Sequence, residues 1–245
     1  MADLPLPSPE RDFSTNRLLR VLRSQEQTLV GTHLVLKRLR RGQVLFEPGE
    51  EVETTYFPCH GTVASMLIVS ATGREVEAAN IGWEGAVGGI VSAGSKPAYS
   101  RAVVQIGGPA YCVATARLED AKQRSPFLHD VFCRYADALL AQIMQSVACN
   151  ALHTTGERCS RWLLSTQDRV QSAVLPLTQQ ALAEMLGVQR TTITAVVKEL
   201  QANQLIRYRR GRIEILNRNG IEKASCECYA AVEDHATRLL RQFVA

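Results

Sequence analysis

The 245-residue sequence has no run of eighteen or more apolar residues, so hydropathy excludes a membrane-spanning helix. Nor does its start read as a secretory leader, and none is expected. The opening stretch MADLPLPSPERDF carries prolines and acids where a leader needs a basic segment followed by an apolar one. A cytoplasmic setting is expected. The motifs of the commoner enzyme chemistries are missing as well. There is no HExxH, GxSxG or P-loop, and no G-x-G-x-x-G between a strand and a helix. The segment from His153 to Glu157 has only one histidine, which is too few for a metalloprotease site. No enzymatic activity is expected.

A regular cysteine framework is absent too. Cys59, Cys112, Cys133, Cys149, Cys159, Cys226 and Cys228 are odd in number, scattered, and mostly set among apolar neighbours. In a chain of this length that reads as buried free thiols, not a disulfide scaffold. Cys226 and Cys228, one residue apart, look too isolated for a zinc site. Cys149, His153 and Glu157 recur at four-residue steps, as on one helical face. Metal ligation or thiol sensing is conceivable there, but packing and capping explain the three residues as well, and no metal is expected.

The sequence is 46% hydrophobic and 21% charged, the composition of a globular chain long enough for two modest domains. The net charge of +4 is unevenly spread. Residues 1–152 hold 15 basic and 15 acidic side chains, whereas residues 153–245 hold 13 and 9. The excess sits wholly in the C-terminal part and points to a polyanionic partner there.

Texture changes along the chain. Residues 16–30 alternate apolar and charged positions at helical spacing and predict a short amphipathic helix. From about Lys37 to Leu118, short β-branched runs (VLF, TTYF, TVASMLIV, REVEAANI, AVVQI, AYCVA) alternate with glycine and proline turns, the pattern of a β-barrel or roll. After Pro126, apolar residues recur at three and four for about seven helical turns. Phe132, Tyr135, Leu139, Ile143 and Val147 form a stripe that could pack on the β-domain or make a symmetric dimer seam. A helix around Thr155–Leu164, a polar loop (STQDRVQSAV), a β-hairpin at LIRYRRGRIEIL and a final helix from Ile221 to Val244 complete the reading.

The stretch from Thr178 to Leu200 carries the function. TQQALAEML predicts a helix capped by Thr178, with Leu182, Met185 and Leu186 inward and Ala183 small at a helix crossing. Gly187 then suits a sharp turn with positive φ. In the next helix Ile193, Val196, Val197 and Leu200 face inward, leaving Gln189, Arg190, Thr191, Thr194 and Lys198 outward. This is a helix-turn-helix, whose second helix enters the major groove of double-stranded DNA. Arginine can fork onto guanine, threonine can touch a base or a thymine methyl, and lysine can meet a phosphate. Arg209, Arg210 and Arg212 at the hairpin tip suit phosphate contacts beside the groove.

Over nearly its full length the sequence resembles the Crp/Fnr family of bacterial transcription regulators. The resemblance rests on Gly49 in EPGEEV, Gly61 in YFPCHGTV, Gly73 in ATGREV, Gly82 in NIGWEG, and LTQQALAEMLGVQRTTITAVVKELQANQLI. It implies an α+β chain with an N-terminal cyclic-nucleotide-binding-type β-roll (1–118), a long dimerisation helix (119–152) and a C-terminal winged helix-turn-helix (153–245). It further implies a homodimer on a near-palindromic site, with RNA polymerase as a partner and a small-molecule effector, of unknown identity, in the roll. Arg190 would read guanine, flanked by Gln189 and Thr192, with Thr178 on a phosphate and Gln179 beside it.

Two departures qualify this. Thr191 and Ala195 stand where the cAMP-binding members carry an acid and a second basic reader, so a different operator is expected. In the nucleotide cassette, Val87 falls at the glutamate position, with Glu84 and Arg101 as the remaining polar candidates for the effector pocket. The reading is therefore against cAMP. It is also against an iron–sulfur cluster, since the first cysteine is Cys59, and no cofactor is expected. The competing reading is a ligand-binding signalling module whose helix-turn-helix mediates protein contacts.

Overall fold

Branched residues alternating with polar ones between turn glycines build a two-sheet roll in the first half of the chain. The computed structural model describes residues 12–91 and 93–243. All but Asp12 and Phe13 of the stretch read for a leader lies outside them. The strands are β1 (Val35–Arg38), β2 (Val44–Phe46), β3 (Thr54–Pro58), β4 (Val63–Val69), β5 (Glu75–Ile81), β6 (Arg101–Ile106) and β7 (Pro109–Ala114). One antiparallel sheet runs β1-β7-β3 and the other β2-β6-β4-β5. Each β-branched run of the sequence became a strand, and β1 begins slightly before the expected Lys37. Between the sheets Ala64, Ile81 and Val104 are buried, while Phe57 is buried on the helical side against Phe132.

The expected helix over residues 16–30 is broken. It consists of α1 (Arg17–Arg20), α2 (Ser24–Glu26) and a π-type turn over Gln27–Gly31. Asn16 sets the geometry. Its side-chain oxygen caps the N–H groups of Leu18 and Leu19, while its amide donates to the Pro58 and Gly85 carbonyls at 2.8 Å each. A fully buried asparagine fixed to the end of β3 and to the turn after β5 overrides the helical period. Arg23, in extended conformation, then separates the two short helices.

After β7 come α3 (Thr115–Arg124) and α4 (Pro126–Leu152), the latter 27 residues and so about 40 Å long. Ser125 caps α4 by accepting from the Leu128 N–H, and Pro126 occupies its first turn. The first half of α4 packs on the roll. Of the two packings the stripe allowed, Phe132 and Tyr135 take the one against the roll, since they are only 2% and 5% exposed within the single chain and have no surface to offer a partner. The Tyr135 hydroxyl donates to the Ala86 carbonyl at 2.9 Å. Leu139 and Ile143 are half-buried toward the roll, while Leu140, Met144 and Val147 are 55%, 64% and 67% exposed.

The C-terminal half contains α5 (Thr155–Val170), β8 (Val174–Leu175), α6 (Gln179–Leu186), α7 (Arg190–Ala202), β9 (Ile206–Arg209), β10 (Arg212–Ile215), α8 (Arg218–Lys223) and α9 (Cys228–Leu240). The stretch read as a polar loop after Leu164 is helical as far as Val170. There Trp83 Nε1 donates to the Asp168 carbonyl (3.2 Å), and Arg169 pairs with Glu84. The final helix, expected to be continuous, is split at residues 224–227; Val244 lies outside the described residues. The apolar core of this half is not closed on itself. Trp162, Leu163, Leu182, Ile193, Val197 and Ile213 share one buried cluster with Val63, Leu67 and Ile106 of the roll. Among the described residues no helix is long and apolar enough to cross a membrane.

Candidate nucleic-acid interface

The two helices that carry the interface are held at both ends and at their crossing. Thr178 Oγ1 accepts from the Ala181 N–H at 3.1 Å and opens α6. Leu182 and Ala183 are buried beneath α7. Gly187 ends α6 with φ +66°, and the Val188 N–H reaches back to the Ala183 carbonyl at 3.0 Å. A Cβ at Gly187 would also come within 3.1 Å of Val76 Cγ2 in the roll, so both conformation and space favour glycine there. On α7, Ile193, Val197 and Leu200 are buried.

Outward, Arg190, Thr191, Thr192 and Lys198 are exposed, and Gln189 is exposed just before the helix. The Arg190 side chain has no hydrogen-bond or ion-pair partner among the described residues and stands in the first turn of α7. Thr194 differs from its expected role. Its hydroxyl lies 2.8 Å from Gln179 Oε1 and 3.0 Å from the Arg190 carbonyl. Thr194 and Gln179 therefore clasp α7 to α6, which engages the Thr194 hydroxyl proton and Gln179 Oε1 within the protein. The wing pairs Arg212 with Arg209 and Ile213 with Tyr208 across β9 and β10. Arg210 (φ +49°) and Gly211 (φ +73°) form its two-residue turn. Gln201 Oε1 accepts from the Tyr208 N–H at 2.7 Å and ties the wing to α7. Arg209, Arg210 and Arg212 are exposed without ion-pair partners among the described residues, whereas Arg207 is neutralised by Glu214 at 2.8 Å.

The three residues named for the effector pocket are placed elsewhere. Glu84 turns to the DNA-binding half, accepting from Arg169 Nε at 2.7 Å and from the Gly82 N–H at 3.1 Å. Val87 is buried, its backbone exchanging two 2.8 Å hydrogen bonds with Tyr56. Arg101 is neutralised by Glu47 (2.8 Å) and Glu75. None of the three lines the cavity of about 690 Å³ between the roll and α4, which is walled by Val52, Met66, Ile68, Ala78, Leu139 and Ile143. Helical spacing allowed Leu139, Ile143 and Val147 to pack on the β-domain or form a seam, but it could not show that a cavity lies between them and the roll.

The roll and the C-terminal half share a polar seam as well as a core. Trp162 Nε1 donates to Glu77 Oε1 at 2.8 Å and the Ser65 hydroxyl donates to Glu77 Oε2, while desolvation pushes the Glu77 carboxyl above its ordinary range. A Cβ on Gly82 would sit 2.6 Å from Arg169 Cγ, so glycine lets the arginine stem cross the strand end. Asp168 is gripped by Arg218 (2.7 Å) and the Tyr229 hydroxyl (2.6 Å).

The cysteines also depart from expectation. Cys149, His153 and Glu157 share no helical face, because α4 ends at Leu152 and Glu157 closes a capping box with Thr154. Cys226 and Cys228 are not isolated. They meet Cys149 and His153 where α4 gives way to α5.

Residues 157–224 match the family described as the Crp-like helix-turn-helix domain. Over 195 residues the chain is 25% identical to the global nitrogen regulator of Synechococcus elongatus, covering 75% of this chain and 86% of the relative. Among solved structures it is similar to FixK2 from Bradyrhizobium japonicum, with a TM-score of 0.68 and 16% identity over 79% of this chain and 98% of that one. A transcriptional regulator of the Crp/Fnr family from Eubacterium rectale gives a TM-score of 0.61 at 16% identity, over 86% of this chain and 98% of the other. The structural likenesses speak for a common fold; the helix-turn-helix match identifies the kind of domain at residues 157–224.

Proposed function

We propose that this chain, whose residues 157–224 match the Crp-like helix-turn-helix domain, is a DNA-binding transcription regulator of the Crp/Fnr type that acts as a homodimer on a near-palindromic operator. The observation that carries this reading is Arg190, exposed in the first turn of α7 and, like Arg209, Arg210 and Arg212 of the wing, without a hydrogen-bond or ion-pair partner among the described residues. Arg190 forks onto a guanine, Thr191 and Thr192 touch neighbouring bases, and Lys198, Arg209, Arg210 and Arg212 meet phosphates. With Thr191 and Ala195 flanking it, Arg190 is the one strong base reader in each half-site.

Dimerisation runs along the exposed stripe of Leu140, Met144 and Val147 on α4, which keeps only Val147 of the stripe read from sequence. A dimer through these helices sets two α7 helices about one DNA turn, roughly 34 Å, apart. The small-molecule effector occupies the apolar cavity against α4 and shifts the pairing of the long helices. The cavity walls of Val52, Met66, Ile68, Ala78, Leu139 and Ile143 favour an apolar ligand over cAMP, and Arg101, outside the cavity, is already taken by two acids. RNA polymerase is the further protein partner, the setting is cytoplasmic, and the protein catalyses no reaction.

Selection from a random duplex pool tests the reading. An enriched palindrome is expected, bound with an affinity that falls steeply with salt. Replacing Arg190 by alanine should weaken the selected site about 10- to 100-fold while leaving non-specific binding nearly intact. A pool without enrichment, or an Arg190→Ala variant that selects the same site equally well, refutes it.

A further inference from the structure

Four soft ligand atoms converge at the joint between the long helix and the DNA-binding half. Cys149 comes from the last turns of α4 and His153 from the residue that ends it. Cys226 comes from the turn between α8 and α9, and Cys228 from the first position of α9. The three sulfurs and a ring nitrogen all lie within 4.8 Å of one another. Cys149 Sγ is 3.6 Å from Cys226 Sγ, and Cys228 Sγ is 3.6 Å from His153 Nδ1.

These separations have a simple geometric meaning. A tetrahedral zinc ion with Zn–S near 2.3 Å and Zn–N near 2.0–2.1 Å has S···S edges of about 3.8 Å and S···N edges of about 3.5 Å. A disulfide requires sulfurs about 2.0 Å apart, far closer than the two facing thiols here. The surroundings are those of a metal site. The other ring nitrogen of His153, Nε2, lies 3.2 Å from the Glu227 carboxylate, the pairing that orients a metal-bound imidazole. Gln145 Nε2 donates to Cys228 Sγ at 3.0 Å, as amides do to metal thiolates. Arg158 lies within electrostatic reach of Cys149 and Cys226, and three thiolates around a dication carry a net negative charge for it to offset. All three cysteines are buried.

From this convergence we infer that Cys149, His153, Cys226 and Cys228 bind one zinc ion in a closed Cys₃His site. Four protein ligands leave no position for water or substrate, so the site is structural. It fastens the C-terminal extension to the end of α4 and fixes the direction in which the chain leaves that helix. Arg158 also donates to the Leu186 carbonyl at 2.6 Å, one residue before Gly187, so the clamp lies one side chain from the turn of the helix-turn-helix. The site stands independently of how DNA is read, and DNA binding is not its readout.

The test uses full-length protein without a histidine tag, purified anaerobically without chelators. Elemental analysis should find about one zinc per chain, unchanged in Cys112→Ser and lost in Cys226→Ser and Cys228→Ser. Replacement by cobalt(II) should give the intense visible bands of a tetrahedral ion and a thiolate-to-cobalt charge-transfer band. Wild-type protein that holds no zinc and shows only the weak spectrum of hydrated cobalt overturns the inference, whether or not the variants fold. Full zinc retention by both serine variants, or a Cys149–Cys226 disulfide in the freshly isolated protein, overturns it as well.

Discussion

The Glu84–Arg169 pair, which joins the roll to the DNA-binding half, gives the sharpest energetic expectation. Arg169 is 6% and Glu84 24% exposed at the side chain, with N and O 2.7 Å apart. Breaking a buried pair from one side costs about 3–5 kcal/mol, because a desolvated charge is left behind. Glu77 and Glu233 also face Arg169, and Glu84 keeps some water, so the loss here falls at or below the lower end of that range. Glu84→Gln and Arg169→Met should each destabilise by about 2–3 kcal/mol, and the double variant by only about 1–2 kcal/mol. The coupling drawn from the cycle is then about 3 kcal/mol. Urea unfolding followed by circular dichroism measures it, at low salt and again near half-molar salt. A buried pair is weakly screened, so the coupling should survive the added salt. Single effects that add to within about 0.5 kcal/mol, or a coupling that disappears with salt, refute the assignment of this pair as a buried tie.

Other expectations follow from the same geometry. Gly187→Ala should cost about 1–2 kcal/mol in a thermal melt, since the residue stands at φ +66° with Val76 behind it; no shift in melting temperature would contradict the strain. Burial holds the Glu77 carboxyl above its unfolded value, so the folded state binds the extra proton, and this group's contribution is fullest below the unfolded value and is lost as pH rises through the folded one. Glu77→Gln should flatten that decline and raise the melting temperature at slightly alkaline pH; an unchanged pH profile would contradict it. Leu140→Glu together with Met144→Glu should yield a monomer by light scattering, and a persisting dimer would place the seam elsewhere. Arg210→Ala should weaken all duplexes alike and reduce the salt slope by about one unit; a loss confined to the selected sequence would make Arg210 a base reader.

What could be read in the sequence was what short-range pattern encodes. The strands from Val44 to Ala114 follow from alternation and turn glycines, and Thr178, Gly187 and the inner face of α7 follow from capping and helical period. What escaped depends on contacts far along the chain. Asn16 breaks its helix because it bonds Pro58 and Gly85. The extension of α5 depends on Asp168 and Arg169 meeting Trp83 and Glu84. Glu84 and Arg101 looked like pocket residues by position, yet each had a charged partner that spacing cannot reveal. Cys226 and Cys228 looked isolated because Cys149 lies 77 residues away from Cys226.

The buried cluster shared by Val63, Leu67 and Ile106 with the helix-turn-helix bears on how such chains can be recombined. A DNA-binding half grafted from a relative inherits a surface fitted to that relative's roll, so an exchange that preserves every DNA contact can still fail by cavity or clash. Transplanting specificity into this chain therefore calls for replacing the outer face of α7 alone. Conversely, residues 153–245 expressed by themselves would leave part of that cluster facing water, and the fragment should be prone to self-association.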